Sequence, residues 1–296
     1  MPFGILKLVP GRFELLTFKP DPSVFPEDAY RRAKNPADLA SANHEAMGLR
    51  HLAAGENDEA VEQFQAAVKA SSNVSSQFGL GRALLVSGNA DRAVKVLRQS
   101  LAEDSSHVSS RLWLGRALLE KGQPIEALTV LEPLERAPVV VPDGLLLLGQ
   151  LRMARTDYER AVKPLKTAAE LRPDDADAQL AYGEVLHQLR RTDEAFVAFS
   201  AAVRAEPAVA QRKTLSPIAI TYLGRVELER SSRRGVALLR RALKSEDVPV
   251  EAHFYLGRAL VRTRRTRREG LRQLERYVRI APTGELRGQA ERLLRR

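Results

Sequence analysis

The sequence predicts an all-α fold built from repeated helix pairs. Three observations support this prediction: a ladder of glycines, a matching ladder of alanines, and apolar residues at helical spacing between them. The glycines lie 33, 34, 34, 34, 41 and 33 residues apart, at Gly48, Gly81, Gly115, Gly149, Gly183, Gly224 and Gly257. The alanines follow the first five glycines by about 12 residues, at Ala60, Ala93, Ala127, Ala161 and Ala195. Self-similarity at a period of this size is typical of repeat architectures.

Each predicted unit consists of two amphipathic helices joined by a short turn. In the third unit, residues 109–120 place leucines on one helical stripe around Gly115. Gly122 and Pro124 then separate the helices, because glycine is favoured just past a helix end and proline at a first helical position. Gly115 and Ala127 are small enough that the two helix backbones are expected to approach closely where they cross.

This pattern resembles the tetratricopeptide repeat family, which has a bulky residue and Gly in the first helix and Ala in the second. A large apolar residue follows the Ala, and Pro often ends the unit. The fullest match is the fifth unit, with Tyr182-Gly183, Ala195, Phe199, Ala202 and Pro207. Units six and seven depart from the pattern, since Gly235 and Gly270 replace the Ala. The resemblance covers about seven repeats and implies a right-handed superhelical solenoid that binds proteins.

Residues 1–35 do not follow the period. Two apolar runs flank Pro10-Gly11, which predicts a hairpin or an extended segment, and a Pro-rich connector comes next. The leader could dock on the array or remain a loosely ordered tail, and the sequence leaves both open.

The other segments follow from the period. They are units one to five at 36–207, an insertion or connector at 208–216, basic units six and seven at 217–282, and a capping helix at 283–296. A terminal helix of this kind shields the exposed end of a stack from water. Pro133 and Pro164 fall inside predicted second helices, where each is expected to cause a kink.

Composition and charge narrow the function classes. The net charge is +10, and residues 217–296 hold 20 Lys and Arg against 9 Asp and Glu, so the positive excess lies in the last quarter. The chain has no cysteine, which excludes disulfides and thiolate chemistry. No signal peptide or membrane-spanning run is evident, so we expect a cytoplasmic protein.

No pattern of catalytic or metal-ligating residues stands out. The five histidines are scattered, and we interpret His44 and His253 as helix-packing residues. Asp174, Asp175 and Asp177 could attract a cation, but they lie where one unit turns into the next, which favours helix capping. We find no phosphate-binding loop, dinucleotide-binding fingerprint or nucleophile elbow. The sequence therefore predicts a non-enzymatic protein with no cofactor and no metal.

In the family that the sequence resembles, the first helices line a concave groove. The resemblance implies that the residue after each ladder glycine points into it, together with a residue three or four positions earlier. The candidate groove residues are Phe78, Arg82, Leu112, Arg116, Leu146, Gln150, Leu180, Glu184, Arg225, Phe254 and Arg258, with Leu49 and Thr221 at equivalent positions. An apolar groove with arginine donors suits a peptide or helix that carries acidic groups. Chaperone-binding members use Lys and Asn at these positions, so that activity is disfavoured.

A second candidate surface is the predicted turn within each unit, which becomes rich in arginine towards the C-terminus. Corresponding turns of stacked units share one edge, so the arginines are expected to form a ridge: Arg190, Arg191, Arg230, Arg233, Arg234, Arg264, Arg265, Arg267 and Arg268. Such a ridge could bind phosphates, an acidic protein or anionic lipid. Alternatively, these arginines are ordinary solvated residues that reflect coding bias.

Two functions follow from these surfaces. The first is a scaffold or adaptor that binds a protein or peptide in its groove, and it could serve as an assembly factor. The second is an anion-binding module for nucleic acid or an anionic membrane surface, which uses the arginine ridge. Nucleic acid is the less supported ligand of the ridge, because aromatic residues are not interleaved with the arginines.

Overall fold

The computed structural model describes residues 3–9, 12–18, 36–205, 217–245, 248–281 and 283–295. Internal packing divides the chain into two units, Met1–Arg155 and Thr156–Arg296. Helices dominate both units, as the glycine and alanine ladders predict.

The first unit begins with a two-stranded hairpin. Strands β1 (Phe3–Val9) and β2 (Arg12–Phe18) pair antiparallel, in a register that joins Phe3 to Phe18 and Val9 to Arg12. The turn residues, the Pro-rich connector and the question of docking on the array lie outside the described residues.

The first six helices of the first unit pack as three consecutive pairs, and a seventh follows them. They are α1 (Pro36–Ala54), α2 (Asn57–Ala70), α3 (Val74–Val86), α4 (Ala90–Glu103), α5 (Val108–Glu120), α6 (Pro124–Leu131) and α7 (Pro142–Ala154). Within the α5–α6 pair, a Cβ placed on Gly115 would lie 2.7 Å from Cδ2 of Leu131. Ala127 and Leu131 have no exposed surface. The prediction that small residues permit a close helix crossing is confirmed for this pair.

The segment around Pro133 differs from the prediction. Helix α6 ends at Leu131, and a 3-10 helix, Glu132–Arg136, contains the proline. Proline has no N–H to donate to an α-helical hydrogen bond, so a change of helix type replaces the predicted kink. In the second unit, by contrast, Pro164 lies inside an α-helix.

The second unit continues the pattern of pairs. Its helices are α8 (Tyr158–Leu171), α9 (Ala176–Gln188), α10 (Thr192–Ala205), α11 (Pro217–Arg230), α12 (Ser232–Ala242), α13 (Glu251–Leu260), α14 (Arg267–Ile280) and α15 (Glu285–Leu294). Asp175 caps α9, because its carboxylate accepts hydrogen bonds from the backbone N–H groups of Asp177 and Ala178. The predicted connector at 208–216 lies outside the described residues, and the count of about seven repeats stays a prediction.

The two glycines that replace alanine have a steric cause. A Cβ on Gly235 would lie 2.6 Å from the backbone nitrogen of Leu228, and one on Gly270 would lie 2.7 Å from that of Val261. The obstacle is backbone, which cannot rotate away as a side chain can. The helices of the last two pairs therefore approach too closely for alanine.

The final helix, α15, packs on α13 and α14. Ala290 is fully buried, and Leu286, Leu293 and Leu294 pack against the core that contains Leu274. The capping role of this helix stays a prediction.

Candidate partner-binding surfaces

In the first unit, the indole ring of Trp113 lies against two guanidinium groups. Trp113 and Arg116 belong to α5, whereas Arg82 belongs to α3. Cζ of Arg82 lies 5.3 Å from the centroid of the ring, and Cζ of Arg116 lies 5.0 Å from it. Both distances fall in the range of cation–π attraction. The ring therefore restricts where the two arginines can point.

This cluster extends to the next helix. Nη2 of Arg116 lies 3.4 Å from Oδ2 of Asp143 on α7. Arg82 is 7% exposed and Trp113 is 8% exposed, whereas the side chain of Arg116 is 19% exposed. Of these side chains, Arg116 is thus the most accessible to a partner.

The other candidate groove residues of the first unit are less accessible than the sequence suggests. Phe78, Leu112 and Leu146 are buried, and Gln150 is partly buried. Phe78 packs edge-on against the ring of His107, with the ring centroids 5.4 Å apart. These apolar side chains contribute to packing more than to an open surface.

In the second unit, polar side chains form a column across three first helices. Tyr222 on α11 donates a hydrogen bond to Glu184 on α9. Arg225 donates one to Tyr255 on α13, and its Cζ lies 4.8 Å from the centroid of that ring. Cζ of Arg258 lies 5.8 Å from the same centroid. Glu184, Arg225 and Arg258, which the sequence assigns to one groove, are therefore connected through two tyrosines.

Phe254 requires a correction. It has no exposed surface and packs between Tyr255 and Tyr277, with ring centroids 5.5 and 5.4 Å away. It is a core side chain and cannot line an accessible groove. Leu180 is partly buried and packs against the core around Phe199.

Two groups in this column have shifted pKa values. Burial raises the pKa of Glu184 to about 7, although the hydrogen bond from Tyr222 and the charge of Arg225 oppose the rise. Burial lowers the pKa of His187 to about 4, and Arg225 adds to the effect. Nδ1 of His187 is buried and has no hydrogen-bond partner among the described residues. The interior of the column thus disfavours charge on both groups.

The sequence analysis missed Trp113 and Tyr255, which hold these arginines in place. Each lies two residues before a ladder glycine, and an arginine follows that glycine directly. The arginine after the preceding ladder glycine contacts the same ring: Arg82 contacts Trp113, and Arg225 contacts Tyr255. This spacing recurs in both units and could have revealed the contact.

Among the described residues, some arginines of the predicted ridge lie beside carboxylates, and others do not. Arg191 forms two hydrogen bonds of 2.7 Å with the carboxylate of Glu194. Arg230 lies 3.3 Å from Asp193 and over the ring of Phe196, whose centroid is 4.1 Å away. Arg190 is exposed beside this group. Carboxylates therefore neutralise much of the charge at this end of the ridge.

The structure also corrects where the later ridge residues lie. Ser231 alone separates α11 from α12, so Arg230 ends one helix, and Arg233 and Arg234 lie in the first turn of the next. In the following pair, Arg264 and Arg265 lie in the turn, whereas Arg267 and Arg268 begin α14. Arg264, Arg265 and Arg268 are exposed, and no carboxylate of the described residues lies within 4 Å of their nitrogens.

Neither a metal site nor a membrane span is found among the described residues. No group of three His, Cys, Asp or Glu side chains among them could share a metal ion. None of their helices has the length and apolar character that a membrane span requires.

Two histidines link the first and second helices of their pairs. Nδ1 of His44 lies 2.9 Å from Oε1 of Gln63, and Nδ1 of His253 lies 2.6 Å from Oε1 of Gln273, so each pair of side chains forms a hydrogen bond.

Stacked helix pairs and side-chain columns across their first helices define a helical-repeat scaffold. The family model of the tetratricopeptide repeat matches residues 45–106, 78–138, 146–210 and 224–285, which is well over half of the chain. The chain belongs to the tetratricopeptide repeat family. This fold supports protein interaction, and proteins that share it are generally non-catalytic scaffolds.

Solved structures share this fold at low sequence identity. The Pseudomonas aeruginosa protein PilF is 15% identical with a TM-score of 0.62, over 76% of this chain and all of that one. YrrB, described as a repeat protein with an unusual peptide-binding site, is 21% identical with a TM-score of 0.56, over 65% of this chain and 96% of that one. A chain of the APC/C hetero-tetramer Cut9–Hcn1 is 14% identical with a TM-score of 0.56, over 91% of this chain and 50% of that one. A comparison with curated protein sequences gave no match.

Proposed function

We propose that the chain is a non-enzymatic scaffold that binds a peptide or helix with acidic side chains across its first helices. The structurally similar protein YrrB is described as having a peptide-binding site, and this supports a peptide as the ligand here. We propose, as the sequence predicts, that the protein is a cytoplasmic adaptor or assembly factor. Its partner is a protein rather than a small molecule.

One observation carries the proposal: each unit holds an aromatic ring against two arginines from successive first helices. The rings are Trp113 in the first unit and Tyr255 in the second. A guanidinium that rests on a ring has already lost much of its rotational freedom. It can therefore form hydrogen bonds to a ligand with a smaller entropic cost than a freely rotating side chain.

The charge of these clusters favours carboxylates on the partner. Arginine presents paired N–H donors that match the two oxygens of a carboxylate. Arg258 is exposed, and no carboxylate of the described residues lies within 4 Å of its guanidinium nitrogens. Arg116 is only partly exposed and already lies beside Asp143. We therefore expect the second unit to contribute more of the acidic recognition than the first.

A selection from a displayed library of random peptides tests this function without a known partner. Peptides selected on the full chain are expected to be enriched in Asp and Glu relative to the input library. Arg225→Gln with Arg258→Gln should weaken these peptides by about 10-fold or more, because truncating charged hydrogen-bond donors costs about 1.5–3 kcal/mol. Fluorescence anisotropy with the selected peptides measures the loss.

A matched control removes the same charge elsewhere. Arg92 and Lys95 are exposed on α4, a second helix, and Arg92→Gln with Lys95→Gln should leave peptide affinity unchanged. The proposal fails if selection yields no acidic enrichment. It also fails if the control pair weakens binding as much as the Arg225 and Arg258 pair does.

A further inference from the structure

The outer face of α14 carries a line of arginines. Arg268, Arg272, Arg276 and Arg279 are all exposed, and their spacing places them on one side of the helix. Leu274 and Tyr277 lie on the opposite side and are buried in the core. At 1.5 Å per residue, the line extends for about 16 Å along the helix.

These arginines have few carboxylates near them. None of the four has an ion-pair partner within 4 Å among the described residues, and Glu275 is the one acidic side chain on the same face. The nearby Glu269 is already bound to Arg240, with nitrogen–oxygen distances of 3.1 and 2.7 Å. Elsewhere in the unit, Arg191 and Arg230 do have acidic partners. The α14 face is therefore more strongly positive than the part of the predicted ridge that contains Arg191 and Arg230.

The positive surface continues onto α12. The Arg240–Glu269 pair joins α12 to α14. Arg233 and Arg241 are exposed on α12, and Lys244 is exposed just beyond the end of that helix. Arg233 and Arg268 lie in first helical turns, where the helix dipole disfavours positive charge, whereas Arg241 and Arg279 lie in last turns, where it favours positive charge. The clustering of like charges reduces stability, and a polyanion would relieve it. We name the exposed cations of α12 and α14, with Arg264 and Arg265, the outer arginine surface.

We infer that the outer arginine surface binds duplex nucleic acid through its backbone phosphates, without reading the bases. Arginine pairs well with phosphate oxygens, and two rows of cations suit a ligand with closely spaced negative charges. This surface is separate from the first-helix columns, so the inference does not depend on the proposed function.

Two other polyanions fit the surface less well. Single strands usually bind through base stacking on aromatic side chains, but the ring of Tyr277 is buried. Binding to an anionic membrane is strengthened by apolar residues that enter the lipid. On α14 the large exposed apolar side chain is Ile280 alone among the described residues. The surface thus offers charge without stacking platforms or an apolar face.

Anisotropy with a fluorescein-labelled DNA duplex of about 24 base pairs, at roughly 50 to 300 mM salt, tests the inference. The full chain should bind with an affinity that falls linearly with salt on logarithmic axes. Arg268→Gln, Arg272→Gln and Arg276→Gln together should reduce the slope by about 2–3, since each lost phosphate contact contributes about 0.9. A single strand of the same length should bind more weakly than the duplex.

Matched controls separate this surface from bulk charge and from the groove. Lys69→Gln, Arg92→Gln and Lys95→Gln remove the same charge from exposed positions of the first unit and should leave the slope unchanged. Arg225→Gln with Arg258→Gln should also retain duplex binding, even if peptide binding is lost. Equal slope losses in the first-unit control would overturn the inference. So would tighter binding to the single strand, or co-sedimentation with vesicles of about 30% phosphatidylserine by a protein that does not bind the duplex.

Discussion

The hydroxyl of Tyr222 on α11 donates a hydrogen bond to the carboxylate of Glu184 on α9. Burial nevertheless raises the pKa of Glu184 to about 7. The negative charge of Glu184 raises the pKa of Tyr222, and burial adds to that rise. Two neighbouring first helices are therefore joined by a hydrogen bond whose acceptor changes charge near neutral pH.

The raised pKa of Glu184 predicts a pH-dependent stability. The folded state binds this proton more tightly than the unfolded state, whose carboxyl has an ordinary value of 4.5. The contribution of Glu184 is thus fully present below pH 4.5 and is lost as the pH rises to about 7. Glu184→Gln should remove this loss and raise the free energy of unfolding at pH 8 by the order of 2–3 kcal/mol. Urea unfolding of both proteins at a series of pH values measures it.

His187, one turn further along α9, should produce the opposite trend. Its pKa is lowered from 6.5 to about 4, so its contribution is present above pH 6.5 and is lost as the pH falls to about 4. In the natural protein the two trends partly cancel. The difference in unfolding free energy between His187→Gln and the natural protein should therefore grow in favour of the variant as the pH falls from 6.5. A difference that does not vary with pH would contradict the burial of a neutral imidazole.

Gly235→Ala restores the family pattern but should destabilise the protein. The new Cβ would lie 2.6 Å from the backbone nitrogen of Leu228. Overpacking of this kind costs about 1–3 kcal/mol, which exceeds the gain in helix propensity of about 1 kcal/mol. Gly288→Ala is the control, because the nearest atom to its Cβ is Nη1 of Arg292, at 3.7 Å. That change should stabilise by about 0.4–1 kcal/mol, so urea unfolding should shift in opposite directions for the two variants.

These glycines show how far the sequence determined the fold. The ladder predicted the helix pairs because Gly115 and Ala127 meet a fixed steric demand once in every period. Helix types and boundaries were harder to predict. Pro133 lies in a 3-10 helix, and Ser231 alone forms a turn that the sequence suggested was longer. The first outcome depends on how the backbone accommodates the missing N–H of Pro133, and the second depends on how closely α11 and α12 pack. The repeat period specifies neither.

The candidate site was predicted less completely. The positions of Arg82, Arg116, Arg225 and Arg258 followed from the ladder, but the rings beneath them did not. Contact between Arg82 and Trp113 depends on the register between two helix pairs, whereas the sequence pattern describes each pair alone. The burial of Phe254 was missed for a different reason, because Tyr255 and Tyr277, which enclose it, belong to its own pair but lie outside the positions that define the repeat pattern.

The single tryptophan provides a direct probe of the first unit. Trp113 is the one Trp of the chain and is 8% exposed, so its fluorescence should be blue-shifted and weakly quenched by acrylamide. Arg82→Gln with Arg116→Gln removes the guanidinium groups that lie against the ring. Quenching should increase several-fold in this variant. Arg92→Gln with Lys95→Gln should leave quenching unchanged, and equal quenching in all three proteins would contradict the shielding role of the arginines.

The last prediction concerns the ion pair that joins the 3-10 helix to α7. Arg152 is 3% exposed, and its guanidinium forms hydrogen bonds of 2.8 and 3.0 Å with the carboxylate of Glu135. Glu132 lies further away, at 3.8 Å. Glu135→Ala should therefore leave a buried positive charge without its main partner and reduce the free energy of unfolding by about 3 kcal/mol.

A double-mutant cycle separates this penalty from the net value of the pair. Arg152→Met removes the buried charge, so Arg152→Met combined with Glu135→Ala should cost less than the sum of the two single changes. A coupling of at least about 1 kcal/mol in urea unfolding is expected for groups in direct contact. Additive losses would mean that the carboxylate does not stabilise Arg152. In that case the 3-10 helix would be held to α7 by apolar packing, chiefly by Leu134, which is 2% exposed and would contact a Cβ placed on Gly144.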